Sequence, residues 1–515
     1  MPGRTPYRSG VIRTPPSPGT PSPSGPGAAR SGMSRGPGQE LRRDLCAAGA
    51  AVLLVVTAAL VGHRVQRTSR TLFADWPPLL ASWEPHLGPG TPAAVLVAVA
   101  VVAYGPSLAV RLPWRALVPL SWGTAMAWIC SLALVDGWHR GIAVRLTTPH
   151  EYLRAVDRFH DIPAALRGFT GHILLGSPDH WPAHVAGHPP AATLTFVLLD
   201  RIGLRGGGWA GVWCIAVGAT ACAAVLVAVR ALAGEGLARK AAPFLVLAPA
   251  AVWMGTSADA YFAAVAAWAV ALLALAVTGR SWGWAGASGL LFGLACYLSY
   301  GLTLVALIAA AVLVLGRHGI RERPVLLVPL LAGLAVVPAA FTLAGFNWWE
   351  AYRLLVTRYH QGVGGIRPYG YWVWANLACA VLVTGPATAA GLRRAGAVLV
   401  RRRGDVLSRP AGSAAGARLA LLVCAALLAL LVADLSGMSK AETERIWLPF
   451  TLWLLPACAF LALPCASGSF LPRASGSCPS PDSGSAPAGG IPLRAWLAAQ
   501  ALLALLLNHL LITRW

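Results

Sequence analysis

Long apolar runs with almost no charge in them recur along this chain, and they constrain its fold more than any other feature. Ala50–Val61, Ala93–Ala103, Ala263–Val277 and Leu419–Ala433 are representative. With their flanks, several reach the ~20 apolar residues that a helix needs to cross a bilayer. Only 12% of the 515 residues are charged; soluble proteins carry roughly 25%, and a chain this long needs a charged coat over several cores. A soluble enzyme and a secreted disulfide scaffold are therefore excluded. The fold class is an all-α polytopic membrane protein. Spans are expected near 45–62, 92–112, 116–136, 209–232, 243–256, 260–278, 284–299, 302–316, 325–344, 372–391, 417–434, 446–463 and 493–512, which makes 13.

The net charge of +22 bears on orientation, because cytoplasmic loops collect Lys and Arg. With the N-terminus inside, inner segments hold 25 Lys/Arg and 6 Asp/Glu, and outer segments hold 16 and 13. The basic clusters Arg111/Arg115, Arg239/Lys240, Arg317–Arg323 and Arg393–Arg403 all fall inside. These charges place the chain in the cell membrane with a cytoplasmic N-terminus, an outer C-terminus and no nucleic-acid partner. Residues 1–44 hold nine Pro, eight Gly and six Ser and read as a disordered cytoplasmic tail; 464–492 reads as a loose inner loop. The cysteines form no CxxC pair and read as small core residues.

Polar residues gather outside. The segment 137–208, with Asp136 at its edge, holds seven of the twelve histidines and six of the nineteen acids, a loading that a mere connector does not need. His150–Thr170 reads as an amphipathic helix along the membrane surface, with Leu153, Val156, Ile162, Leu166 and Phe169 for its apolar face and a break at Pro163. Asp136 ends the run Ala125–Val135, where either burial or a nearby cation would shift its pKa. A helix-end charge in headgroup water is the plainer reading of the same residue.

A long first outer loop that opens with an acid after a membrane helix, then a surface helix, then Gly187-His188-Pro189-Pro190-Ala191, resembles the GT-C superfamily of integral-membrane glycosyltransferases, in an actinobacterial form. That superfamily includes the polyprenyl-phosphate-mannose and arabinose transferases. The turn Ala238-Arg239-Lys240-Ala241-Ala242-Pro243 and the stretch Ser257-Ala258-Asp259-Ala260-Tyr261-Phe262 continue the likeness, the latter resembling the superfamily's second acidic loop. Asp136 stands alone where many members have Asp-Asp or Asp-Glu, Ala191 replaces the commoner Gly, and two helices precede the usual first one. Composition and the apolar runs give a disordered tail (1–44), two additional helices (45–115) and C-terminal helices with outer loops 345–371 and 434–445 (345–515), around a catalytic membrane module (116–344) implied by the resemblance. The resemblance also implies sugar transfer from a polyprenyl-phosphate donor to a carbohydrate, lipid or protein acceptor at the outer face.

Such chemistry needs a base for the acceptor and cations for the departing phosphate. Asp136 is placed for the base, with Asp157 and Asp161 as alternatives; these two lie four residues apart, on one face of a helix. With His160 beside them they could also hold a divalent cation. His180, His184 and His188 are spaced for zinc on a helix, but Pro182 and Gly187 interrupt the stretch and no HExxH motif is present. His160, His184, His188 and Asp259 are candidate substrate ligands. For the phosphate, Arg353, Arg358 and Arg367 stand in the loop 345–371, and Lys440, Glu444 and Arg445 crowd the mouth of the helix that follows 434–445. Interfacial aromatics and a solvated helix cap account for parts of both loops. A transporter or lipid flippase, and a non-catalytic envelope-assembly protein, are the competing functions. The first expects charges within the spans, and the second leaves the loaded outer loop unexplained.

Overall fold

The computed structural model describes Gly3 and residues 37–401, 414–462 and 491–513. Most of the tail 1–44 and nearly all of 464–492 lie outside these residues. The chain is an all-α polytopic membrane protein. Its principal helices are α1 (Pro37–Ser69), α2 (Thr91–Arg111), α3 (Trp114–Ala133), α4 (Gly206–Ala233), α5 (Ala258–Gly279), α6 (Trp282–Leu298), α7 (Leu327–Leu343), α8 (Trp348–Gln361), α9 (Tyr369–Thr384), α10 (Pro386–Arg401), α11 (Ala415–Leu435), the single turn α12 (Thr443–Ile446) and α13 (Leu493–Leu510). Two short strands, β1 (Ala81–Trp83) and β2 (Leu511–Thr513), pair antiparallel with Ala81 opposite Thr513.

Among the described residues eight helices are long and apolar enough to cross a membrane, or nine if α9 and α10, bent by 105°, count as one span. The expected 13 is not reached by this measure. The remaining expected spans, 243–256, 284–299, 302–316 and 446–463, fall on shorter pieces such as Ala306–Leu315 and the one-turn helices Ala251–Met254 and Leu448–Thr451. Proline explains part of this, since Pro249, Pro449 and Pro456 fall within two of those runs. Burial explains why the breaks are tolerated: Leu448, Pro449, Phe450, Leu455 and Phe460 are all buried. Irregular backbone is allowed at membrane depth where protein rather than lipid surrounds it.

Helix α5 is the central element, with 89% of its apolar window buried, whereas the window that contains α7 is 6% buried. α7 is held by close approach to α6. A Cβ at Gly289 would meet the Leu330 carbonyl, and one at Gly333 would meet that of Gly286, so only glycine lets these backbones touch. The bend after α9 is set by Gly385, whose φ of 80° lies in the left-handed region. Gln500 on α13 donates from Nε2 to the Thr384 carbonyl beside that bend (2.7 Å).

Arginines close one end of the bundle by capping helix carbonyls. Arg239 donates to Ala109 and Leu112, and Arg418 to Leu232 and Leu315. At the same end Arg393 and Arg394 grip the buried Asp44, tying α10 to α1. The loops expected outside meet one another at the opposite end, called the outer end below. Arg145 donates to the Thr513 carbonyl, the Leu175 amide to Gln361, and Arg367 to the Leu72 carbonyl.

The surface helix expected over His150–Thr170 is a correction. The chain there forms a 3-10 helix (Tyr152–Phe159), a short α-helix (Ile162–Arg167) and a further turn (Phe169–His172). The first break is at Asp161, not Pro163: its carboxylate caps the second helix by accepting from the Ala164 amide. The apolar side chains are nonetheless turned inward, with Tyr152, Ala155, Phe159, Leu166 and Phe169 buried.

Candidate functional site

Four separate stretches of sequence bring charge together at the outer end. The first is the start of the 3-10 helix, which carries Glu151. The second is the short helix Ala183–Gly187, which carries His184. The third is the first turn of α5, where the Ser257 hydroxyl accepts from the Asp259 amide and so presents the Asp259 carboxylate. The fourth is α12, which carries Arg445.

Arg445 is the hub. Its Nη1 donates to Asp259 Oδ2 at 2.7 Å, and its Nη2 lies 3.2 Å from Glu442 Oε2 and 3.3 Å from His184 Nε2. His184 Nδ1 in turn lies 2.9 Å from Glu151 Oε1. Arginine can only donate, so in its contact with Arg445 the His184 Nε2 accepts and the imidazole proton sits on Nδ1, facing Glu151. The Arg445 and Asp259 side chains are each 6% exposed. A charge so deep is tolerable only when paired and hydrogen-bonded.

The surroundings set the protonation states. Burial alone would raise the Glu151 carboxyl, but His184 and Arg445 outweigh it and hold it below the usual carboxylate range. Burial opposes the charge on Arg445, yet Asp259, Glu442 and Glu151 overcome this and make it harder to deprotonate. Burial keeps Tyr152 a phenol and pushes the His188 imidazole down to about 4. His188 Nδ1 donates to the His184 carbonyl (2.9 Å) and also contacts the Tyr152 hydroxyl (3.0 Å). Its lone pair is therefore on Nε2. Three carboxylates meet two guanidinium groups here, because Arg367 Nη1 lies 3.4 Å from Glu442 Oε1, so carboxylates outnumber these cations by one.

A cavity of about 40 Å³ opens beside this cluster, lined by Asp259, Ser299, Ser439, Trp447 and Phe450 among others. Its wall combines a carboxylate, two hydroxyls and aromatic surface.

The other expected residues are distributed differently. Asp136 is at the outer end but belongs to a second ion cluster: Arg140 and Arg145 each donate to one of its oxygens at 2.8 Å, and His86 Nε2 lies 3.1 Å away. It does not line the cavity that Asp259 lines. Asp157 and His160 are exposed, and Asp161 is spent as a helix cap, so these three form no common face. Arg353 is exposed. Arg358 donates weakly to the Trp181 carbonyl (3.4 Å), and burial lowers its pKa. Arg367 is buried and committed to the Leu72 and Lys440 carbonyls, with Glu442 Oε1 3.4 Å away. Lys440 Nζ donates to the Gly364 carbonyl. Glu444 points away from Arg445, accepting from the Leu80 amide at 3.2 Å, and burial pushes its carboxyl up to about 7.

Among the described residues no three His, Cys, Asp or Glu side chains gather as a metal site. The breaks at Asp161 and around Pro182 separate the two sets that sequence spacing had aligned.

Glu151, Tyr152 and Glu442 were not singled out from the sequence. Glu151 had a signal: it precedes Tyr152, the first residue of the buried Tyr152–Ala155–Phe159 face, so the turn that buries one buries the other. Glu442 had none, because its reach to Arg445 depends on left-handed backbone at Ala441 (φ 69°) and Glu442 itself (φ 63°).

No family model matches this chain, and no curated protein matches it. Solved structures of the oligosaccharyltransferase of Archaeoglobus fulgidus are similar to it. The complex with Zn and sulfate is 14% identical, with a TM-score of 0.35 over 62% of this chain and 45% of that one. The form tethered to an acceptor peptide containing the NVT sequon is 14% identical, with a TM-score of 0.35 over 72% and 49%. The apo form is 13% identical, with a TM-score of 0.33 over 72% and 50%. The chain thus spans about half the length of the structures it matches.

Proposed function

We propose that this protein is a GT-C-type membrane glycosyltransferase that moves a sugar from a polyprenyl-phosphate donor to an acceptor at the extracytoplasmic face of the cell membrane. The observation that carries this reading is the meeting of Asp259 and Arg445, deep in the outer end of the bundle and beside a largely apolar cavity into which Asp259, Ser299 and Ser439 bring polar groups. The motif resemblance in 121–280 supports the same reading. A membrane-embedded donor and an aqueous acceptor can both reach that level.

In the reaction the acceptor oxygen attacks the anomeric carbon, the bond from that carbon to the phosphate oxygen breaks, and the acceptor proton passes to a base. We assign the base to Asp259 rather than Asp136. Asp259 lines the cavity and meets a guanidinium through Oδ2, whereas both oxygens of Asp136 are taken by guanidinium groups away from that cavity. Glu151 and His184 fix the orientation of Arg445, and Arg445 faces the charge that develops on the leaving phosphate. The excess of carboxylate over cation suits recognition of sugar hydroxyls, which donate hydrogen bonds.

Membranes containing the protein, incubated with labelled polyprenyl-phosphate sugars, test the reading. Asp259→Asn should lower transfer by about 10²–10⁴-fold, the usual contribution of a general base. Asp136→Asn should retain most of it. A dead Asp136→Asn together with an active Asp259→Asn would reverse the assignment, and wild-type membranes with no transfer would refute the function.

A further inference from the structure

Two helices, α1 and α2, and the segment between them stand ahead of the module that carries the cluster. Their connecting segment is not a loose linker. It lies against the turn that presents Arg445, through one direct hydrogen bond, a bridging arginine and a shared apolar patch. Arg367 Nε donates to the Leu72 carbonyl (3.1 Å), while its Nη1 reaches the Lys440 carbonyl (2.8 Å) and Glu442 (3.4 Å). The Leu80 amide donates to Glu444. Ala441 is 2% exposed and packs in one cluster with Ala58, Leu72, Ala74 and Leu80.

The geometry points to the α1–α2 segment as a positioning element of the active site, with Arg367 and Glu444 as the two pins that fix the turn 440–445 and thereby aim Arg445. Neighbouring residues on a helical turn project about 100° apart. Glu444 and Arg445 are such neighbours on α12. Holding Glu444 against the Leu80 amide fixes the rotation of that turn, and with it the direction of Arg445 toward Asp259 and His184. Arg367 acts one step earlier, spanning from the Leu72 carbonyl to the two residues that flank Ala441. The left-handed backbone at Ala441 and Glu442 is costly for residues with a Cβ and persists only where surroundings over-determine it. The two pins and the apolar patch supply that over-determination.

This inference rests on the transferase reading only for its effect on turnover, so the test has two arms. In the first, Ala441→Cys is introduced and its labelling rate by an impermeant maleimide is followed in vesicles; protein lacking that substitution sets the blank. Adding Glu444→Ala or Arg367→Lys should speed labelling about tenfold or more, since each leaves a buried backbone group without its hydrogen-bond partner. Glu444→Gln keeps a carbonyl oxygen for the Leu80 amide and should restore slow labelling. In the second arm the same pin variants, without the cysteine, should lower kcat for sugar transfer and leave the acceptor KM unchanged, again with rescue by Glu444→Gln. Unchanged labelling in both Glu444→Ala and Arg367→Lys would overturn the inference. Faster labelling at undiminished kcat would overturn the aiming of Arg445. Absence of transfer by wild-type protein would instead refute the transferase reading, and the labelling arm would still decide the pins.

Discussion

Replacing Arg445 by Gln should destabilise the protein more than replacing its partner Asp259 by Asn, and the two losses should not add. Arg445 is the shared partner of Asp259, Glu442 and His184, so removing it strands the buried Asp259 carboxylate without a cation and leaves Glu442 with Arg367 alone. Breaking a buried pair in this way costs about 3–5 kcal/mol. Asp259→Asn removes one charge-assisted hydrogen bond but leaves Arg445 with Glu442, and costs about 1.5–3 kcal/mol. In the double variant the Asp259 charge is no longer present to be stranded. The coupling should therefore offset roughly 0.5–3 kcal/mol of the summed single losses. Equilibrium unfolding by SDS titration in mixed micelles measures all four corners of the cycle. An Asp259→Asn loss as large as that of Arg445→Gln would refute the hub role of Arg445. So would losses that add to within about 0.5 kcal/mol.

Other consequences are independent of this cycle. Glu444 has its carboxyl raised from 4.5 to about 7, so its favourable contribution is full below pH 4.5 and is lost as pH rises through 7. Melting temperatures of wild type and Glu444→Gln should therefore shift in favour of the variant across that window and run parallel above it. His188 is lowered from 6.5 to about 4, so its contribution is present above pH 6.5 and lost as pH falls through 4. His188→Asn should narrow the acid-side loss of stability, and an unchanged acid limb would count against burial as the cause. Gly385→Ala should lower the melting temperature, because φ near 80° costs a residue with a Cβ about 1–2 kcal/mol and Gln500 occupies the space. An impermeant thiol reagent added outside cells should label Leu175→Cys and spare Arg401→Cys; the reverse pattern would invert the orientation.

The helices were legible because apolar length is a local property. The runs containing α2, α3, α4, α5 and α11 could be placed within a few residues. The interior pieces were not, since a segment wrapped in protein need be neither long nor continuous. Pro449 and Pro456 inside 446–463 are tolerated for that reason. The site divides along similar lines. Asp259, Arg445, His184 and Asp136 were all visible as polar residues at apolar edges, but the sequence could not say which of them meet. Asp136 and Asp259 differ little in sequence, each standing at the edge of a membrane helix. What separates them is their company: the nearby Arg140 and Arg145 with the more distant His86 for one, α12 and the cavity for the other.

Glu444 and Arg445 show how far adjacency misleads. Side by side at the mouth of an apolar run, they read as one charged cap on a lipid headgroup. On a helical turn they face different ways, and each meets a distant segment, Glu444 the Leu80 amide 364 residues away and Arg445 the Asp259 carboxylate 186 residues away. A carboxylate beside an arginine in sequence would ordinarily be taken as its counter-ion. Here burial raises the Glu444 pKa even though Arg445 next to it works to lower it, and its oxygen serves a backbone amide that no side-chain pattern could reveal. The functional division between these neighbours follows from the rotation of one turn, which is set by the packing of the α1–α2 segment rather than by the residues of the turn itself.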